Sequence, residues 1–485
     1  MAEPIIINQW NTGMAKSPHI GFAELRNVIT GEESGQDGVL EVGWASESIR
    51  TLGDVPKWTV QNKSVAITNA NHFFAFDSSN NLYNNAGTAA SVALGGLGAI
   101  IWKDHILGFS NTSINVYRNI IGATAFTSGW QTIDSDDEWH PVIVGQDDIV
   151  YFGAGRFVGS VQEASGQNFQ DGTAATYVFN SQALDLKEDY RIRTIGELGK
   201  ELVLGTWTNS GNVADLIFWD RSSDTFRLPI QVPENGVKAG ITVGNLYYFF
   251  AGNKGKCYVT NGVTVDVAFQ LPIYLVNPNG LYNDLEVYPW AIAFHERKIK
   301  FGLFSSTAGN DYNQIWSYNV DTRELKIENE ISTGFTKGSK ITSMFVRSET
   351  EYRYLLQDSD NAFRLDRVIS EPANGIRYTS YAARVDSQYY SVGQQDNPRV
   401  FSELEFELAK PLSTAQGLRF AYRTDLNSGF TETSPYTFDF TTHGNIQGGL
   451  ASLQTETKQG IQFRIEMTTG SGTASTPQLK SVTVR

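Results

Sequence analysis

The chain has 485 residues and a formal net charge of −14, with 41% hydrophobic and only 19% charged residues. That composition supports a sizeable core and excludes general disorder, while the acidic balance argues against duplex DNA as a partner for the whole surface. A single cysteine, Cys257, excludes an intrachain disulfide and multi-cysteine zinc sites.

Aromatics reach 12%, against four Met, and there are 45 Gly. Aromatic side chains fill pleated surfaces and glycine supplies tight turns, so the balance predicts an all-β chain; no long stretch reads as an amphipathic helix. At the start, Met1-Ala2-Glu3-Pro4 carries no basic leader and the apolar run at 5–7 is short. Neither a signal peptide nor a bilayer span is expected, which places the protein in a reducing cytoplasm or in a particle assembled there. Residues 21–28 and 38–42 read as strands joined by a Gly- and Glu-rich loop. They are expected either to lie across the repeat domain that follows or to supply the strand that closes it.

From residue 55 a unit recurs: apolar strand, short polar turn, apolar strand ending in Gly. Copies are 98–102 with 106–109, 194–198 with 202–205, and 291–294 with 299–302; looser ones run over 241–249 and 142–152. Each is a hairpin by pattern. A second hairpin often follows, as in 216–220 with 225–228, 315–318 with 324–327, and 256–259 with 263–265 across the turn pair Asn261-Gly262. Further members are 72–76 with 81–83 and 352–356 with 362–365. Two hairpins make a four-stranded blade, and the units start roughly 35–55 residues apart, as propeller blades do. About seven blades fit between 55 and 370. From about 375 the period becomes two: residues 401–408, 417–423, 460–467 and 479–484 alternate apolar and polar, as half-buried antiparallel strands do. Another strand falls between 375 and 393. The predicted architecture is therefore an N-terminal arm (1–54), a β-propeller (55–374) and a C-terminal β-sandwich (375–485).

These features resemble the propeller-containing tail proteins of tailed bacteriophages. The resemblance is carried by Phe22-Ala23-Glu24-Leu25-Arg26-Asn27 before the propeller, by the blade elements at 198–206 and 217–220, and by Phe420-Ala421-Tyr422-Arg423-Thr424-Asp425-Leu426-Asn427 ahead of Gly429-Phe430. It is one of pattern and covers most of the chain. The architecture is similar to the tail nozzle (stabilisation) protein of short-tailed phages, and tail-tip and fibre-adaptor proteins of long-tailed phages share it. The resemblance implies a non-enzymatic virion component: a ring of six copies that binds other tail, adaptor or fibre proteins, continues the tail channel and retains DNA. It implies neither sequence-specific nucleic-acid binding nor membrane insertion.

Candidate chemistry is sparse. The six histidines, His19, His72, His105, His140, His295 and His443, show no metal-ligand spacing. His105 and His295 fall in hairpin turns and read as solvent-exposed; His140, beside the acidic run 134–138, reads as an exposed loop residue. The runs 134–138 and 358–361 gather oxygens as Ca²⁺ requires but lack the spaced loop with its Gly and distant Glu. Arg191 and Arg193 alternate on one strand after Glu188 and Asp189, without the repeated turn of sialidase-like propellers. Cys257 reads as a buried strand residue. Trp10, Trp44, Trp58 and Trp130 lie outside the clearest strands and are candidates for sugar stacking or subunit contact, whereas Trp102, Trp219 and Trp316 read as core. No catalytic, cofactor or metal residue is assigned and no cofactor is expected. The reading is a structural tail protein; a carbohydrate- or receptor-binding module is the alternative. A propeller glycoside hydrolase is the third, and it needs two carboxylates about 5–10 Å apart in one pocket.

Overall fold

The computed structural model describes residues 4–10, 14, 22, 24–30, 38–52, 56–61, 73–77, 82–83, 89–90, 96–103, 105–118, 125–136, 138–170, 173–208, 214–272, 285–305, 313–331, 339–357, 363–371, 374–379, 382–391, 398–426, 429–430, 436–469 and 476–485, as backbone alone at 50, 52, 56–90, 118 and 125. The fold is all-β: a seven-bladed propeller and a β-sandwich.

Blades I to VI are each four antiparallel strands in sequence order, and blade VII departs from it. Blade I is Pro56–Gln61, Phe73–Asp77, Leu82–Tyr83 and Ala89–Ala90; blade II is Gly98–Trp102, His105–Phe109, Ser113–Arg118 and Ala125–Thr132. Blade III is Val142–Val144, Val150–Ala154, Phe157–Glu163 and Tyr177–Asp185; blade IV is Tyr190–Leu198, Glu201–Thr208, Ala214–Trp219 and Ile230–Val232. Blade V is Val237–Val243, Leu246–Ala251, Lys256–Thr260 and Val265–Gln270; blade VI is Glu286–His295, Lys298–Phe304, Ile315–Asn319 and Leu325–Asn329. Blade VII takes three strands from one end, Lys340–Ser348, Glu351–Gln357 and Phe363–Ile369, and its outer strand, Ser46–Leu52, from the other. The first strands pack side by side around the ring, with Lys340–Ser348 against Pro56–Gln61. That closure seats the last blade against the first and ties two distant stretches of chain together.

Alternation along each strand sends successive side chains to opposite neighbours. In blade IV, Leu202 and Leu204 pack with Tyr151 and Val158 of blade III, while Val203 packs with Val237 and Tyr247 of blade V. The glycine that ends the repeated hairpin has a use here. A Cβ on Gly205 would stand 3.0 Å from Cβ of Val237, and one on Gly302 would stand 2.5 Å from Cβ of Ile341. Only the bare backbone lets the next blade come this close.

The sandwich is built from both chain ends. One sheet runs in the order Val28–Thr30, Leu40–Val42, Leu479–Val484, Arg399–Leu408, Gly448–Thr457, and Ile5–Ile7 also pairs with Leu479–Val484. The other runs Tyr436–Asp439, Gly417–Arg423, Gly460–Thr468, Ala383–Asp386, Glu24–Arg26. Glu24–Arg26 then meets blade VI in parallel, Arg26 opposite Ile327, so this sheet continues into the propeller. The described residues of the segments 21–28 and 38–42, expected to cross the propeller or close it, therefore belong to the sandwich, and ring closure falls to Ser46–Leu52. Their side chains explain why: Leu25, Val28, Leu40 and Val42 are almost wholly buried in the core shared with Phe401, Phe420 and Val482. Trp10 and Phe22 stack in the same core, 5.7 Å between centroids.

Candidate functional site

A cleft of about 400 Å³ opens where blade VI, blade VII and the N-terminal limb (the described residues before Ser46) meet. One face of blade VI lines it. Lys300, Ser317 and Lys326 form a row across three strands, with Lys298 and Asn319 as the next pair. The opposite face carries Ile299, Phe301, Trp316 and Ile327, all fully buried. Lys298, Lys300 and Lys326 are 3%, 2% and 1% exposed. Three desolvated ammoniums persist only if they are paired.

Glu328 is their common partner. Its carboxylate lies 3.0 Å from Lys298 Nζ, 3.5 Å from Lys300 Nζ and 3.4 Å from Lys326 Nζ, and it accepts the Ser317 hydroxyl at 2.8 Å. Burial opposes its ionisation, but the Lys298, Lys326 and Lys300 charges outweigh burial and hold the carboxyl well below its ordinary range. Lys300 also reaches Glu296 at 3.1 Å and lies 4.4 Å from the Tyr352 ring centroid. Glu296 too is pushed down, burial again being overcome, chiefly by Lys300.

The limb is bonded to this face. Lys326 Nζ donates to the Val28 carbonyl (3.0 Å), Thr30 Oγ1 to Glu324 (2.7 Å) and Asn329 Nδ2 to the Trp44 carbonyl (2.6 Å). Glu296 and Arg297 form the two-residue turn at the rim, both at left-handed φ (52° and 61°).

Glu296 and Glu328 both touch Lys300, so two carboxylates do share one pocket. Glycoside hydrolysis, however, needs one of them kept protonated as a general acid. Both are driven towards the ionised form, and the cleft holds them as lysine counter-charges.

The residues singled out from the sequence lie elsewhere and do not converge. His295 is buried, not solvent-exposed: the turn folds under blade VII, with Nε2 3.1 Å from the Ser348 carbonyl and the ring 5.7 Å from Tyr352. Burial and then Lys300 push its pKa down. His140 is likewise buried and is not an exposed loop residue. It is 0% exposed, its ring 6.0 Å from Phe109 and Nδ1 2.9 Å from the Gly153 carbonyl, because the loop enters the seam between blades II and III. Burial lowers its pKa. His105 is partly buried against the edge of Phe169, and His443 is exposed. His19, His72, the run 358–361 and the Trp58 side chain lie outside the described residues.

In the acidic run, Asp136 accepts the backbone N–H groups of Glu138 and Trp139, and Glu138 pairs with Arg193 at 2.6 Å. Among the described residues no three His, Cys, Asp or Glu gather to hold a metal. Arg193 also lies over the Trp139 and Trp207 rings, Arg191 stands 3.7 Å from Asp136, and Glu188 points away towards Arg156. Cys257 is buried in blade V, with its thiol pushed up by burial. Trp102, Trp219 and Trp316 are core. Trp10 and Trp130 are core too, so they offer no stacking surface, and Arg377 lies 3.9 Å from the ring centroid of half-buried Trp44. Trp139, from the loop between blades II and III, meets Tyr288 of blade VI at 6.1 Å, an aromatic contact between opposite sides of the ring.

Sequence reasoning missed the lysine cleft. Lys298-Ile299-Lys300 and Glu324-Leu325-Lys326-Ile327-Glu328 alternate as a solvent face would. The available signal was that one strand of the blade carries two lysines, and another a lysine between two glutamates, on alternating positions.

No family model matches the chain, and no curated protein matches it. Among solved structures it is similar to the extracellular domains of two hybrid two component systems from B. thetaiotaomicron. For BT4673 the identity is 12% over 80% of this chain and 46% of that one, with TM-score 0.44; for BT3049 it is 12% over 89% and 60%, with TM-score 0.45. It is also similar to the β-propeller domain of Myceliophteria thermophila Cps50 (Swd1), 8% identical over 67% of this chain and all of that one, with TM-score 0.44. The chain thus spans about half to three fifths of the two bacterial domains.

Proposed function

We propose that the chain is a non-enzymatic structural component of a tailed-phage virion tail, of the nozzle or tail-tip type, that assembles into a ring with copies of itself and with other tail proteins. One observation carries the reading: the closed propeller is inserted into a sandwich made jointly by both chain ends. Strand pairing through Arg26 and Ile327, together with the buried lysine–glutamate face, welds the two units. Such a block suits load-bearing assembly, since relative motion would break buried ion pairs. The order of arm, propeller and sandwich motifs, with the resemblance they carry, supplies the phage context. A wall of net negative charge would let DNA slide without sticking.

Light scattering and negative-stain imaging of the purified protein test this. Rings, or particles built of rings, are expected. A monomer at every concentration, alone and mixed with a portal or adaptor protein, overturns it.

A further inference from the structure

We infer that the cleft between blade VI, blade VII and the N-terminal limb is a binding site for a small ligand bearing an anionic oxygen group, a carboxylate or a phosphate. The argument is one of unused hydrogen-bonding capacity. The acceptors lining the cleft are taken: Glu328 by Lys298, Lys300, Lys326 and Ser317, and Glu296 by Lys300 and Ser370. Asn319 Oδ1 accepts the N–H groups of Asp321 and Thr322, and Asn329 Oδ1 accepts the Tyr352 hydroxyl.

What remains is donor. Asn319 Nδ2 lines the cleft without a partner among the described residues. The Arg297 guanidinium, 75% exposed, touches only Asp321 among them, at 3.4 Å. Around these stand the Lys298 and Lys300 ammoniums. The lining holds three cations, Arg297, Lys298 and Lys300, against two carboxylates, Glu296 and Glu328. The excess is confined to the lining, since Asp321 stands just outside it, 3.4 Å from Arg297. Donors and positive charge select an acceptor-rich, negatively charged group, and about 400 Å³ is within the range of small-ligand pockets.

The rim turn is an independent observation. The equivalent turns of blades IV and V begin with Gly199 and Gly244, at φ 61° and 58°, and that of blade II with Lys103 at φ 48°. Blade VI places Glu296 there and follows it with Arg297, also left-handed. Two side chains are kept where L-residues are disfavoured, and both line the cleft. Strain of this kind gathers at ligand clamps.

The test is calorimetric titration of the full chain with inorganic phosphate and, separately, glucuronate, with glucose as the neutral control. Saturable binding of at least one anion is expected, with phosphate alone or glucuronate alone assigning the source. Arg297→Gln, at an exposed side chain, should weaken binding at least fivefold with unchanged melting; Lys300→Met should abolish it where that variant still melts cooperatively. The inference is overturned by no binding of either anion to folded wild-type protein, by binding unchanged in Arg297→Gln, or by glucose binding as tightly as glucuronate. None of these outcomes depends on ring assembly.

Discussion

Blades IV and VI share one hairpin pattern and bury opposite chemistry. In blade IV the second strand presents Leu202, Val203 and Leu204, all fully buried, to its two neighbours. In blade VI the matching strand presents Ile299 and Phe301 to blade V but Lys298 and Lys300 to the junction with blade VII and the limb. The fourth strand differs likewise: Ile230–Val232 ends its sheet, whereas Leu325–Asn329 is covered by Glu24–Arg26. Where a blade faces only other blades, packing is mainly apolar and ion pairs such as Arg221 with Asp147 sit at the rim of the seam. Where it meets a second sheet, charges that would ordinarily face water are enclosed and must be paired in a fixed geometry.

The sharpest way to break this comparison is to remove the shared counter-charge. Glu328→Ala leaves three buried ammoniums short of a partner and should cost about 3–5 kcal/mol in urea unfolding; an ordinary exposed ion pair would cost about 0–1 kcal/mol. A loss at the lower figure would mean that this face is solvated after all. Trp10→Ala tests the limb side of the junction. As a stacked core residue it should cost about 3–5 kcal/mol, whereas a peripheral arm would tolerate the change.

Much of the fold was legible because hairpin patterns are local. The turns at Gly199, Gly244 and Asn261-Gly262, and the period-two runs after 399, mark strands without reference to their partners. Partnership was not legible: nothing near Arg26 specifies Ile327, some 300 residues away. The expected strand at 225–228 fails for a local reason. Arg227 stacks on Phe218 at 4.3 Å, Leu228 is 87% exposed, and pairing begins only after Pro229, at Ile230–Val232. His140, Trp10 and Trp130 were misread because burial was judged from neighbours in sequence, while the surfaces that cover them come from other blades or from the opposite chain end.

Stability should fall with acid in two stages, one for each kind of buried group. His140 and His295 have pKa values lowered by burial, so the unfolded chain takes up protons first. Their contribution is complete above the ordinary histidine value near 6.5 and declines as pH falls below it. Glu328 and Glu24 are also lowered. In both, burial is outweighed, by the lysines in the first and by Arg26 and Arg384 in the second, so their contribution is lost only below the ordinary carboxylate value of 4.5. Urea midpoints at pH 7.5, 5.5 and 4 should show both declines, and His140→Gln with His295→Gln should flatten the first alone. A midpoint unchanged between pH 7.5 and 5.5 would contradict the histidine assignment.

The smallest effect belongs to the acidic run, on the side of the ring without a sandwich. Glu138 is 46% exposed, and its ion pair with Arg193 is of the rim kind. Arg193 keeps its contacts with the Trp139 and Trp207 rings whether or not the carboxylate is present. Glu138→Gln should therefore cost less than about 1 kcal/mol. Asp136 spends one oxygen on the Glu138 and Trp139 N–H groups, and among the described residues no three acidic groups converge, short of the six or more oxygens that Ca²⁺ takes. Millimolar calcium should accordingly leave the melting temperature of wild type and variant unchanged. A calcium-dependent rise that vanishes in Glu138→Gln would make this loop a cation site, and the contrast between a charged junction and a merely solvated far side would no longer hold.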